Sequence, residues 1–308
     1  MTEVAEHVWA YLQPDGGWCL NNAGLIAPGG RPVLVDTAAT EARARALKEA
    51  VARITPYAPR FVVNTHAHGD HTFGNRLFTE GGGDRGGRGD GGDRALVVAH
   101  ERARAEMALA GLHLTGLWPD VPWGEVRVEL PGLTFRDRLT LHPGEFPVEL
   151  IHPGTAHTAG DTVVWLPEQR VLFTGDVVMS GATPFCLTGS VSGSLAVVEE
   201  LRALAPRTVV AGHGPVGGPE LLDATAGYLR HVQRLAAEGL AAGLTPLEAA
   251  READLGPYAD LLDAERLVPN LHRAYAEAAG APPGHRLDVD QLFREMVAFH
   301  GGLPACAA

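Results

Sequence analysis

Cysteine is scarce in this chain of 308 residues: Cys19, Cys186 and Cys306 are its three, and no two stand in C-x-x-C spacing. An odd number without paired spacing excludes a disulfide framework and a thiolate zinc ribbon. Lysine is rarer. Lys48 is alone among 25 basic residues, the others being arginine, and 37 acidic residues set the formal net charge at −12. Excess negative charge repels phosphate backbones, so no nucleic-acid partner is expected. Nowhere do roughly 18 apolar residues run together, so no spanning helix and no membrane partner are expected. No Lys or Arg precedes Arg31, which leaves no charged start for a secretory signal. The expected setting is a soluble, reduced, cytoplasmic one.

Hydrophobic residues make up 45 % of the chain and charged residues 20 %, enough apolar matter for a packed core. Gly (38) and Pro (22) together are about a fifth of the chain, against an ordinary ~12 %, which implies many turns. Runs rich in Val, Ile and Leu at 32–36, 60–64, 96–99, 126–130, 147–152, 162–166, 171–174 and 208–211 read as strands. Thr40 can cap a helix reaching Ile54, residues 101–110 form a second, and Ser194 can cap a third carrying Leu195, Val198, Leu201 and Leu204. Strands alternating with helices predict an α/β fold, an αββα sandwich. After Pro215 the texture turns helical. Leu221, Tyr228, Val232 and Leu235 mark one helix, Thr245-Pro246-Leu247-Glu248 is a capping box, and 264–279 and 288–299 follow. The expected organisation is a sandwich over 1–215 and a helical extension over 216–308. The tract at 81–94, GGGDRGGRGDGGDR, has almost nothing to bury and reads as a flexible surface loop.

Chemistry concentrates in Asn64-Thr65-His66-Ala67-His68-Gly69-Asp70-His71, directly after a strand-like run. By composition the pattern H-x-H-x-D-H is expected roughly 0.0015 times in a chain of this length. Imidazole and carboxylate are ordinary ligands for zinc or iron. Further candidates each follow an apolar run and stand near glycine: His157 in His157-Thr158-Ala159-Gly160-Asp161, Asp176 after Thr174-Gly175, and His213 between Gly212 and Gly214. Loops at strand ends are where a scaffold presents functional groups, so the three can converge with the first cluster. Asp161 is expected to support His157 or a turn without binding metal, since carboxylates commonly orient ligand histidines. His7, His100, His113, His142, His152, His231, His272, His285 and His300 lack such neighbours and read as structural or solvated. Cys186 reads as a packed small residue.

In these elements the sequence resembles the metallo-β-lactamase fold superfamily: H-x-H-x-D-H, H-T-x-G, T-G-D and G-H-G occur in that family's order across 61–214. The resemblance implies two metal ions, zinc being expected, with iron or manganese also compatible. One would be held by His66, His68 and His157, the other by Asp70, His71 and His213, with Asp176 bridging. It implies a binuclear metal-dependent hydrolase in which zinc lowers the pKa of bound water to about 7, so that hydroxide attacks a carbonyl. Asp70 and Asp176 are the expected catalytic carboxylates. True β-lactamases usually carry Cys or Ser where this chain has Asp176, which argues against antibiotic hydrolysis.

Stretches 117–142, 171–191 and 253–277 are similar to a narrower group, the bacterial aromatic-polyketide cyclase/thioesterases. That similarity implies ring closure by aldol condensation and release of an acyl chain from a thioester. The expected partner is a small-molecule or carrier-protein-bound acyl substrate, with homo-oligomerisation left open. Met179, Phe185, Trp118 and Trp123 are the candidate substrate contacts, Trp118 and Trp123 standing in a proline-stiffened loop suited to stacking. The segment 179–187 contains no Lys or Arg to hold a phosphate. Rival readings are a glyoxalase-II-like thioesterase, a small-molecule lactonase, an iron-dependent redox enzyme and a non-catalytic binding protein.

Overall fold

Short apolar runs separated by turns can bury themselves only by pairing edge to edge, and here they form two sheets. A computed structural model describes residues 1–13, 17–80 and 94–307. The first sheet runs β1 (Thr2–Ala5), β2 (Val8–Tyr11), β3 (Ala23–Ile26), β4 (Val33–Val35), β5 (Phe61–Val63), β6 (Leu96–His100) and β7 (Leu133–Phe135) in that spatial order. Its pairings are antiparallel as far as β4 and parallel from β4 to β7. β8 (Arg138–Leu141), β9 (Val148–Ile151), β10 (Val163–Leu166), β11 (Val171–Met179) and β12 (Thr208–His213) form the second sheet, in the order β12-β11-β10-β9-β8. Its single parallel pair is β11 with β12.

Val8, Ile26, Val35 and Val63 of the first sheet meet Leu150, Val164, Phe173 and Val210 of the second in one buried core. Helices cover both outer faces. Leu47 and Val51 of α1 (Glu41–Ile54) pack against Leu25, Leu34 and Val62. The short α2 (Gly69–Thr72) and α3 (Arg76–Thr79) follow β5, and α4 (Glu101–Ala110) and α5 (His113–Leu117) follow β6. Val198 and Leu201 of α6 (Val191–Ala203) and Leu222 and Ala226 of α7 (Glu220–Ala242) cover Trp165, Leu172 and Val209. The architecture is thus two sheets flanked by helices, an αββα sandwich. α8 (Pro246–Glu252), α9 (Leu267–Ala278) and α10 (Val289–His300) pack with the far half of α7 around Leu229, Val232, Leu271 and Met296. Among the described residues no helix is long and apolar enough to cross a membrane.

Local signals fixed several boundaries. Thr40 accepts from the Arg43 N–H at the start of α1, and Thr245 with Glu248 closes a full capping box on α8. The third helix starts earlier than expected. Ser190, with extended backbone, is its cap, whereas the Ser194 hydroxyl donates to the Ser190 carbonyl from inside the helix. Residues 126–130 form no strand, because the place beside β6 is taken by β7 through the Val98–Leu133 pairing. The Gly-rich tract lies outside the described residues except for Arg94.

Leu150 is fully buried between the sheets, whereas Leu240 on α7 is 45 % exposed. We expect Leu150→Ala to cost about 3 kcal/mol, and Leu240→Ala to stay within about 0.5 kcal/mol, in urea denaturation with an unchanged slope. Equal losses would contradict the placement of the core.

Candidate metal centre

The ligand-type side chains come from four segments at one end of the sandwich. His66 and His68 lie on the turn after β5, and His68 directly precedes α2, whose first turn carries Asp70 and His71. His157 lies between β9 and β10, and His213 is the last residue of β12. Asp176 was expected where an apolar run ends, but β11 continues to Met179. Its pairing with β12 is irregular at Gly175, and such a bulge re-aims the side chain that follows. Two glycines make room. Gly175 has φ +51°, and a Cβ there would stand 2.4 Å from the Thr65 hydroxyl. A Cβ on Gly212 would stand 1.9 Å from Asp176 Oδ1. Both spacings are far inside contact distance, so the T-G-D and G-H-G elements need glycine for close approach.

All seven expected ligands converge, in two groups sharing one carboxylate. His66, His68, His157 and Asp176 form the first, Asp70, His71, His213 and Asp176 the second, with the ligand atoms of each within 4.8 Å of one another. His157 Nε2 lies 2.9 Å from His68 Nδ1 and 3.5 Å from Asp176 Oδ2. In the second group His71 Nε2 is 3.0 Å from Asp176 Oδ1 and 3.2 Å from Asp70 Oδ2, and His213 Nε2 is 3.2 Å from the same Asp70 oxygen. Six of the seven are buried and His68 is half-buried. His66 Nε2 is buried without a hydrogen-bond partner. A buried imidazole nitrogen left unpaired amid imidazoles and carboxylates at this spacing fits a site for divalent cations.

Behind the ligands stand groups that orient them. Asp36, in the left-handed region at φ +60°, accepts from the Thr65 N–H (2.8 Å) and hydroxyl (2.7 Å) and faces His71 Nδ1 at 2.9 Å. Thr65 Oγ1 in turn lies 3.0 Å from His66 Nδ1. The Phe185 carbonyl holds His157 Nδ1. Asp161 holds the turn: it accepts from the Ala156 and Thr158 N–H groups and the Thr158 hydroxyl, while burial pushes its carboxyl up to about 8.

Electrostatics divide the centre. Burial lowers the pKa of His66 and His68 and takes His157 down to about 3, so these imidazoles are neutral and ready to bind metal. In the second group burial acts the same way on His71 and His213 but is outweighed by Asp176 and Asp70. His71 is held well above the usual range and His213 is raised to about 9. Burial would raise Asp70 and Asp176, yet the surrounding histidines hold both well below the ordinary carboxylate range.

Of the candidate substrate contacts, Met179 and Phe185 lie beside the ligands, packed together with Ala182. The Phe185 ring centre is 6.1 Å from that of His157. Trp118 and Trp123 instead gather on Trp18, at 5.4 and 4.8 Å, and Trp123 touches Phe73 just after α2. Two groups carry no local sequence signal. Asp36 simply ends an apolar run. Arg266 is the other: it is buried and ion-paired with Asp263 at 2.9 Å, and its Nη1 lies 3.0 Å from Met179 Sδ and 3.3 Å from the Thr183 carbonyl. Nothing near Arg266 in sequence signals that contact.

The sequence profile of the metallo-β-lactamase superfamily matches residues 16–213. The chain is 26 % identical to a metallo-β-lactamase type 2 of Bacillus cereus over 248 residues, covering 75 % of this chain and 82 % of that protein. With the enzyme of the same name from Bacteroides fragilis the identity is 23 %, over 73 % of this chain and 83 % of that one. A solved metallo-β-lactamase from Pontibacter korlensis superposes with a TM-score of 0.58 at 21 % identity, covering 74 % of this chain and 97 % of that one. The structure of DIM-1 metallo-β-lactamase gives 0.55 at 22 %, over 74 % and 95 %.

Two outcomes are expected. Gly212→Ala displaces Asp176 and lowers metal affinity at least about tenfold, read by competition with a chromophoric chelator, while circular dichroism stays unchanged. A metal entering the second group must displace protons from His71 and His213. Rising pH empties those positions, so affinity there increases with pH at least as far as about 9, the value to which His213 is raised. Calorimetry in buffers of different ionisation enthalpy would register proton release at pH 7 that shrinks as the pH rises. Constant release would refute the division of the centre.

Proposed function

The chain belongs to the metallo-β-lactamase superfamily, and from that premise we propose that it is a dinuclear hydrolase cleaving an acyl thioester, with ring closure by aldol condensation as its companion reaction. The observation carrying this reading is the pair of four-residue groups joined through buried Asp176. His66, His68 and His157 would hold one ion, Asp70, His71 and His213 the other, and Asp176 both. Bound divalent metal supplies Lewis acidity for a carbonyl and activates water at neutral pH.

The remaining work falls to the chain. Asp70 Oδ2 faces both His71 and His213, which places it to orient the attacking water. Asp36 keeps His71 in one orientation through Nδ1, and the Phe185 carbonyl does the same for His157. Met179, Ala182 and Phe185 give the centre an apolar flank suited to an acyl chain. Arg266 pins that flank from below, its guanidinium 5.7 Å from the Phe185 ring. A thiolate needs little protonation on departure at pH 7, consistent with a site whose histidines are committed to metal.

Support for the narrower polyketide reading is the way two stretches similar to that group fit together. Residues 182–186 receive Leu262, Arg266 and Asn270: the Thr183 N–H donates to the Leu262 carbonyl at 2.9 Å, and the Asn270 amide donates to the Pro184 carbonyl at 2.7 Å. The substrate in this reading is a polyketide acyl chain on a thioester, either free or on a carrier protein, and the metal is zinc.

The test is a panel of acyl thioesters, lactones and β-lactams offered to zinc-loaded protein, with a chelated control. Thioesters are expected to turn over fastest. His68→Ala or Asp176→Ala should reduce the rate at least about a hundredfold with secondary structure retained. Preference for β-lactams would overturn the thioester reading. Coloured, iron-containing protein active only in redox assays would overturn hydrolysis itself.

A further inference from the structure

Three cysteines gave no disulfide spacing in the sequence, yet two of them meet. Cys19 donates its N–H to the Cys306 carbonyl at 2.6 Å, and the two thiols are hydrogen-bonded to each other. Both residues hold left-handed backbone, φ +47° and +49°, which a non-glycine side chain adopts at a cost of about 1 kcal/mol. Neighbours fix them there. Arg43 donates to the Trp18 carbonyl and, at 3.2 Å, to the Cys19 carbonyl. On the other side the Trp118 indole donates to the Pro304 carbonyl at 3.0 Å, and the Ala307 N–H donates to Asp263 Oδ1 at 2.8 Å.

This meeting point adjoins the metal centre. Asn21 pairs with His213, and the Asn22 N–H donates to the Gly212 carbonyl at 2.6 Å, so the segment bearing Cys19 is bonded to the strand bearing a ligand. Asp70 belongs to the charge environment of Cys19, and Arg266 feels both cysteines together with Asp176. Residues 301–307 are therefore tied, through Cys306, to the segment that pairs with the ligand strand.

We propose that Cys19 and Cys306 are a redox-modifiable pair, oxidised by a small disulfide to an intramolecular disulfide that fastens residues 301–307 beside the metal centre and slows traffic to it. Half-buried Cys306 attacks one sulfur of the small disulfide, forming a mixed disulfide and releasing one small thiol. Cys19 then attacks the Cys306 sulfur, and its proton leaves with the second small thiol. Two protein thiols and one small disulfide thus give one protein disulfide and two small thiols. The bond to Cys306, with burial, holds the Cys19 thiol well above the usual range, and half-buried Cys306 is the more accessible entry point. Cys186 is set apart, facing Ser194 Oγ at 3.5 Å with burial raising it to about 12.

The full chain, loaded with zinc, is incubated with oxidised glutathione. Loss of two hydrogens in mass and a non-reduced peptide joining Cys19 to Cys306 are expected, with Cys186 still alkylatable after denaturation. Chelator should extract zinc from the oxidised form at least about fivefold more slowly than from the reduced form, because local opening of 301–307 is blocked. Cys306→Ser should abolish both effects, and Cys19→Ser should leave only a mixed disulfide at Cys306. Three unreacted thiols, a cross-link through Cys186, or equal extraction rates would overturn the proposal. The closure rests on the metal-centre reading, but the peptide map needs neither metal nor turnover, so the two can fail separately.

Discussion

Two carboxylates, Asp70 and Asp176, stand almost out of reach of water with the same histidines between them, and that is the constraint the molecule is arranged around. Dehydrating an ionised carboxylate costs several kcal/mol even after relaxation, and two adjacent ones repel. Only positive charge placed between them makes the arrangement tolerable. Divalent cations held by the surrounding histidines would provide it, and the raised pKa of His71 and His213 marks where positive charge is favoured.

Holding such charges in place demands a stiff frame, which explains why several of the ligands hang on or directly after strands. His213 closes β12, Asp176 sits at an irregularity of the adjacent β11, and His66 follows β5 in the opposite sheet. Each of those strands is anchored in the same inter-sheet core through Val210, Phe173 and Val63. A side chain moved by loss of packing there would carry a ligand with it. Core stability and ligand geometry are one property seen at two distances.

What the sequence made legible follows from how local each requirement is. The His66–His71 cluster, the Thr40 cap and the Thr245 capping box place their partners within five residues, so spacing alone exposes them. Ser190 and Ser194 are chemically identical candidates four residues apart, and only backbone conformation separates the cap from a residue one turn inside. Asp36 bonds to Thr65 and His71, 29 and 35 positions away, and nothing in its own neighbourhood separates it from an ordinary strand terminus. The run at 126–130 alternates as a strand should, but sheet places are finite and β7 holds the one beside β6. Short strands β2 and β3 lack the long apolar runs that mark a buried strand, because their burial comes from partners elsewhere in the chain.

The same logic reaches the C-terminal helices. Polar groups in the connection 183–192 cannot be left unpaired beside a dehydrated centre, and α9 pairs them. The Asn270 side chain bonds both the Pro184 carbonyl and the Cys186 N–H, Arg273 Nη2 donates to the Leu187 carbonyl at 2.6 Å, and Glu277 accepts from the N–H groups opening α6. Between those anchors lies Phe185, whose carbonyl orients His157. A change in α9 therefore propagates to a metal ligand through two residues of backbone, without a cofactor or substrate touching the helix. In a fold whose ligand strands are this constrained, such helices are where selectivity can vary while the chemistry of the centre stays the same.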